Sequence, residues 1–305
     1  MDHLPALLAR KNPPKSAQFD WEMYRYIPSL AGAIIGMIIF FTLTLLLMWQ
    51  WLRTRNHILI FVIIGATCEV GGYAARMGSH FDNQAWAPFI TQGTLLLVGP
   101  LFFAATIYMM LGRTIVLAGG EDVSLIKPRW YTRVFVGADI FTLVLQGFGA
   151  SIMGTMKLNL ALAGEKIVIA GLALQVATFV FFLIAAIDFQ IRMERKAAVT
   201  SSLDTHASND WRKMLWILYS VSSLVLLRCT FRLIEYAMGN AAYLIAHEWT
   251  LYVFDTVPMF LTVVTLLVLQ PTKYVAKEYR KGSESDMGDE VQLEHGEARQ
   301  GDGEH

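Results

Sequence analysis

SLAGAIIGMIIFFTLTLLLMWQW, residues 29–51, runs from Ser29 to Trp51 without one ionisable side chain. A helix needs about 20 apolar residues to cross a hydrocarbon layer roughly 30 Å thick, and this stretch supplies them. It decides the fold because it recurs. Comparable runs fall at about 57–77, 87–112, 131–153, 166–187, 214–237 and 249–270. In hydrocarbon, every backbone N–H and C=O must be bonded within its own segment, so all seven runs are expected as helices. No ten-residue alternation marks a β-barrel. The expected fold is all-α: a polytopic membrane protein built as a seven-transmembrane-helix bundle. Pro100 in the third run and Pro258 in the seventh each remove a backbone donor, which predicts kinks there.

Composition agrees. Of 305 residues, 55% are hydrophobic and 16% charged, with a mean hydropathy of +0.45; a soluble domain carries roughly 25% charged residues. The formal net charge is zero, which gives a nucleic-acid partner no electrostatic support. Cys68 and Cys229 fall in apolar runs at no metal or redox spacing. The first 28 residues carry Pro13-Pro14 and no apolar core beside a small-residue cleavage site, so the first run is expected to direct its own insertion.

The lysines and arginines concentrate in the connections after the first, third and fifth runs and in the segment after the seventh. Cytoplasmic loops carry such an excess, which predicts an outside N-terminus and a cytoplasmic C-terminus. The chain then divides into an extracellular N-terminal tail (1–28), a seven-helix transmembrane domain (29–271) and a cytoplasmic tail (272–305). The last reads GSESDMGDEVQLEHGEARQGDGEH after Lys281; acidic, Gly-rich and poor in aromatics, it is expected to be disordered. The connection at 188–213 is expected as the longest cytoplasmic loop. It and the tail are the places where a regulatory partner would dock. Trp49, Trp51, Trp86, Trp130, Trp211 and Trp249 flank the runs and are expected as interface anchors.

Charges inside the runs point to the site. Glu69 and Arg76 lie in the second run, Asp139 in the fourth, Arg228, Arg232 and Glu235 in the sixth, Glu248 and Asp255 in the seventh. Each costs about 2.5–3.5 kcal/mol at mid-helix on insertion scales, so they must face inward, pair, or touch water. Glu69, Tyr73 and Arg76 stand at i, i+4 and i+7, one helix face. Arg228, Arg232 and Glu235 repeat that spacing, as do Glu248, Tyr252 and Asp255. At about 1.5 Å per residue, these three stripes share the outer half of the bilayer, with Asp139 nearer the inner half. A polar cluster between the second, sixth and seventh helices is expected. It serves either as ionic fastening between helices or as a substrate-binding cavity. The carboxylates outnumber the bases, which leaves two outcomes open: a surplus acid protonated by desolvation, or one matched by a cationic ligand. Asp139 is a candidate for a proton step; Gln146 and Gln175 either line a pathway or hydrogen-bond between helices. Gly71 and Gly72, and Gly147, Gly149 and Gly154, favour close helix packing.

No histidine pair stands at ligand spacing, no GxxxxGK[ST] loop is present and no serine elbow appears. Neither an enzyme, a metal nor a cofactor is expected. No internal repeat is visible either, which counts mildly against a rocking-repeat transporter.

CEVGGYAARM (68–77), LLVGPLFFAATIYMMLGR (96–113), RVFVGADIFTLVLQGFGA (133–150), GEKIVIAGLALQ (164–175), RCTFRLIEYAMGN (228–240) and HEWTLYVFD (247–255) together resemble the fungal RTA-like family, the lipid-translocating exporters. The resemblance runs from the first helix to about Pro271. It implies a seven-helix plasma-membrane protein with its N-terminus outside. It also implies links to export or flip of sphingoid long-chain bases and to resistance against toxic amphiphiles; one branch is tied to porphyrin traffic. The chain departs from the family pattern at Gln270-Pro271-Thr272, where a His-Pro-Gly-like ending is expected, and this leaves the substrate subgroup open. Two functions follow. One is a transporter or translocase of an amphiphilic lipid, its partners the membrane lipids and the substrate. The other is a seven-helix lipid-stress receptor that moves nothing; against it, LGRTI stands after the third helix where a receptor would carry Asp-Arg-Tyr. A membrane scaffold or enzyme subunit is a weaker third class.

Overall fold

The computed structural model describes residues 29–81, 86–120, 122, 128–153, 158–200, 208–238 and 248–269. The helices are α1 (Leu30–Thr54), α2 (Ile58–Phe81), α3 (Trp86–Leu117), α4 (Pro128–Met153), α5 (Leu158–Thr200) and α6 (Ser208–Ala237). The seventh span begins as α7 (Glu248–Leu251), widens into a π-helical turn (Tyr252–Thr256) and ends as α8 (Val257–Leu269). The described residues contain no strand, and they supply seven spans long and apolar enough to cross a membrane. The protein is an integral membrane protein.

Consecutive spans pack on one another, and α8 returns to both α6 and α1, which closes a ring. α3 also packs against α6 across it. Its spanning window is 67% buried, against 28% for α1, α4 and α5, so α3 is the innermost helix. Its inward side chains Phe103, Ile107, Tyr108 and Leu111 meet Phe40, Tyr73, Phe182 and Val221 in the common core. Ile35, Phe41, Phe141, Phe181 and Ile184 lie on the outside, where lipid tails replace water as the surrounding medium.

Glycines set the closest approaches. A Cβ on Gly164 would lie 2.6 Å from the Gly149 carbonyl oxygen, and one on Gly149 would lie 2.8 Å from that of Gly164. The α4 and α5 backbones therefore touch there. Gly71 and Gly72 make room for Leu95 and Leu96 of α3. Gly147 faces open space instead, and Gly154 lies outside the described residues.

Both prolines act through hydrogen bonding. α3 runs on through Pro100 as one helix. A proline gives no N–H to the carbonyl four residues earlier, here Leu96, and that carbonyl is free for another donor. At Pro258 the preceding turn is the π segment, in which the Val257 N–H bonds to the Tyr252 carbonyl. A proline ring crowds the carbonyl four residues before it, and a widened turn relieves the crowding at Phe254.

Two expectations are corrected. Most of the segment read as a long loop at 188–213 is helical: α5 continues to Thr200 and α6 begins at Ser208. Its overhang docks on the turn after α3, where Phe189 and Met193 pack at Gly120 and Lys196 donates to the Gly119 carbonyl at 3.2 Å. Trp211 is no interface anchor; it is buried in the core. Trp49, Trp130 and Trp249 are exposed as expected. The tails at 1–28 and 272–305 lie outside the described residues.

Candidate functional site

The stripe on α2 faces inward, with Glu69, Tyr73 and Arg76 all buried. At one end of the bundle Arg76 pairs with Glu248 of α7 at 2.7 Å. The same carboxylate accepts the Ser29 backbone N–H at 3.0 Å and the Tyr252 hydroxyl at 3.1 Å. Arg76 also lies 5.8 Å from the Tyr252 ring centroid, within cation–π range. Gly32 of α1 leaves space for the Tyr252 hydroxyl and Gly36 for the Tyr73 ring. Tyr73 stacks on Phe40 at 5.7 Å, and its hydroxyl shares a hydrogen bond with Thr256. The first and last spans are thus tied at the α1 N-terminus.

Deeper in, Asp255 is held by two arginines of α6. Arg228 forms an ion pair with its Oδ1, and Arg232 reaches Oδ2 at 2.6 Å. Arg232 also contacts Glu235 at 3.1 Å. The second end of the Arg228 guanidinium donates to the Leu96 carbonyl, the acceptor that Pro100 leaves without its helical donor. The π turn carries Asp255 itself, and such turns recur at functional sites.

Three arginines thus meet three carboxylates: Arg76 with Glu248, Arg228 and Arg232 with Asp255, and Arg232 with Glu235. Glu69 is the acid left over. It is 1% exposed, its Oε1 accepts no hydrogen bond, and it joins no ion pair among the described residues. Opposite Oε1 stands Gly99, where a Cβ would come within 2.8 Å. The glycine lets that carboxylate approach the α3 backbone closely.

The three stripes therefore meet, as their spacing implies. Asp139 stands apart, near the middle of α4, and accepts the Tyr108 hydroxyl of α3 at 2.8 Å. Gln146 and Gln175 bond to each other at 3.0 Å across α4 and α5 and do not join the arginine cluster. Ser29, Leu96, Gly99, Tyr108 and Thr256 complete these arrangements, and sequence reading missed them all. Of these, only the Leu96 carbonyl had a signal, in Pro100 four residues on. No group of three or more His, Cys, Asp or Glu able to hold a metal ion occurs among the described residues.

The family model described as RTA1 like protein matches residues 62–278, most of the chain. The chain belongs to the RTA1-like family. The RTA1-like region takes in every charged residue of the cluster, while Ser29, Gly32 and Gly36 lie outside it. Proteins from Saccharomyces cerevisiae are similar over most of the chain. Protein RTA1 is 30% identical over 280 residues, covering 84% of this chain and 86% of that protein. Protoporphyrin uptake protein 1 is 31% identical over 281 residues, covering 81% and 91%. The sphingoid long-chain base transporter RSB1 is 27% identical over 275 residues, covering 80% and 72%. No solved structure matches the chain.

Proposed function

We propose that this RTA1-like protein is a plasma-membrane transporter or translocase of amphiphilic lipids that carry a basic amine, sphingoid long-chain bases being the substrate class. The observation that carries this reading is Glu69. The other carboxylates of the cluster are committed to arginines, and Glu69 keeps an unpartnered, buried oxygen opposite a glycine. An ammonium group supplies the charge and the donors such an oxygen lacks. Apolar helices around the cluster suit the hydrocarbon tail. Arg228 and Arg232 hold Asp255 in place, and Arg76 holds Glu248, so the remaining acids shape the site without binding the amine themselves. The lysine and arginine distribution supports an outside N-terminus, which puts the cluster toward the outer leaflet. Moving toxic bases across the membrane would confer resistance to them. The printed names of the relatives support transport in general. The exposed Arg192, Arg195 and Lys196 of the α5 overhang offer a soluble regulatory partner its docking surface.

The test is flux in vesicles that contain the purified protein alone. Glu69→Gln keeps the size and removes the charge. A hydrogen bond to a charged group is worth about 1.5–3 kcal/mol, so flux of a long-chain base at limiting concentration should fall about tenfold to a hundredfold. A neutral alcohol of equal chain length should move as before. Equal loss for both lipids, or no loss for the base, removes Glu69 as the amine partner. Wild-type vesicles that move no amphiphile remove the transport reading itself.

A further inference from the structure

A second buried acid has surroundings unlike the first. Asp139 is 2% exposed, and among the described residues it forms no ion pair with any arginine, lysine or histidine. Its Oδ2 accepts the Tyr108 hydroxyl; its Oδ1 accepts nothing. Aromatic rings surround the tyrosine partner. Tyr108 lies 4.6 Å from Phe182, 5.4 Å from Phe135 and 6.1 Å from Phe179, centroid to centroid. The ionisable groups close to the pair are Tyr108 itself, from α3, and Cys229 from α6, both acids; Phe179 and Phe182 of α5 pack on the Tyr108 ring.

The environment is lopsided along α4. Tyr131, Phe135, Asp139, Thr142 and Gln146 form one buried stripe, at steps of three and four residues. Toward the α4 N-terminus the stripe is aromatic. Toward the C-terminus it is polar, through Thr142 to the Gln146–Gln175 pair about 10 Å away. Gly171 backs Gln146 and lies close to the Thr142 carbonyl, so this polar side runs between α4 and α5.

A buried carboxylate with no counter-ion is costly, and binding a proton removes that cost. A helix fastener needs no acid there: an asparagine would accept the same tyrosine hydroxyl. We propose that Asp139 is a proton-binding site, taking and releasing a proton at Oδ1 while Tyr108 holds Oδ2. Within the transport reading, on which this clause rests, that proton is the one exchanged against the amine-bearing substrate. In this state the proton reaches Oδ1 from the side of Thr142, Gln146 and Gln175 while the aromatic side is closed; exchange across the membrane takes a second state in which the aromatic side opens. Asp139 carries the proton; Tyr108 is a positioning residue.

Two measurements test this on the full-length protein in lipid vesicles. Infrared difference spectra between acid and alkaline buffer should show the carbonyl stretch of a buried carboxylic acid, lost in Asp139→Asn and present in Asp139→Glu. An imposed pH gradient should drive a long-chain base to accumulate by up to about tenfold per pH unit, the limit for exchange against one proton. Asp139→Asn should accumulate none while still equilibrating it; Asp139→Glu should restore the response. A band that persists in Asp139→Asn, or a gradient response equal to wild type, overturns the proposal. Should Asp139→Asn not fold, Tyr108→Phe takes its place: it removes only the hydroxyl on Oδ2, and an unmoved midpoint of the carbonyl band overturns the proposal. If the wild type moves no base yet the band follows Asp139, the proton site stands and the transport reading fails.

Discussion

Asp255→Ala is expected to be the most damaging single substitution in the protein. Asp255 is the shared anion of Arg228 and Arg232, and it is 2% exposed. Its removal leaves two guanidinium groups facing each other on α6, one of which retains only Glu235. Breaking a buried pair from one side costs about 3–5 kcal/mol, because the remaining charge is stranded. That is a large share of the roughly 5–15 kcal/mol by which a domain is stable. The variant should lose its monodisperse peak in mild detergent, or melt far below wild type. Asp255→Leu combined with Arg228→Met should recover part of the loss, since replacing both members of a buried pair with apolar groups is often nearly neutral. A melting temperature for Asp255→Ala within a degree or so of wild type would show that the two arginines do not depend on it.

Gly164→Leu should separate α4 from α5. Its first side-chain carbon would fall 2.6 Å from the Gly149 carbonyl oxygen, 2.8 Å from Met153 Cγ and 2.9 Å from the Met153 backbone nitrogen. Two of those three are backbone atoms, which cannot rotate away. Overpacking costs about 1–3 kcal/mol and more where the backbone must shift. Gly147→Leu is the matched control. Nothing lies within 4 Å of a Cβ there, the position is exposed, and leucine is the better helix former by about 1 kcal/mol. Thermal melts of the two variants in lipid nanodiscs should therefore diverge, with Gly147→Leu at or above wild type. Equal melts would mean that the contact between the two backbones contributes nothing.

The spans were legible because hydrophobic length is a one-dimensional property of a chain in lipid. The convergence of the three stripes was legible because the spacing of Glu69 and Arg76, and of Arg228 and Glu235, fixes a helix face. Partner choice was not. Nothing in the spacing tells that Asp255 takes both arginines of α6 while Glu69 takes none; that follows from how the π turn and α6 meet. The π turn left only Pro258 as a trace. The α5 overhang was missed because charged residues end a hydropathic span without ending a helix. Trp211 was misread because a tryptophan near a span end is equally fit to anchor in headgroups or to fill a core.

The order of the pairs along the chain bears on how the protein is made. Arg76 and Arg228 both emerge from the ribosome before the carboxylates that neutralise them, Glu248 and Asp255, which belong to the last span. When the sixth span reaches the membrane, those carboxylates have yet to follow it in. The nascent bundle must shelter positive charge in a protein-lined or hydrated place until the final span arrives. A chain that stops after Ala237 would carry these arginines with no acid from the seventh span to meet them, a form that membrane quality control is equipped to remove.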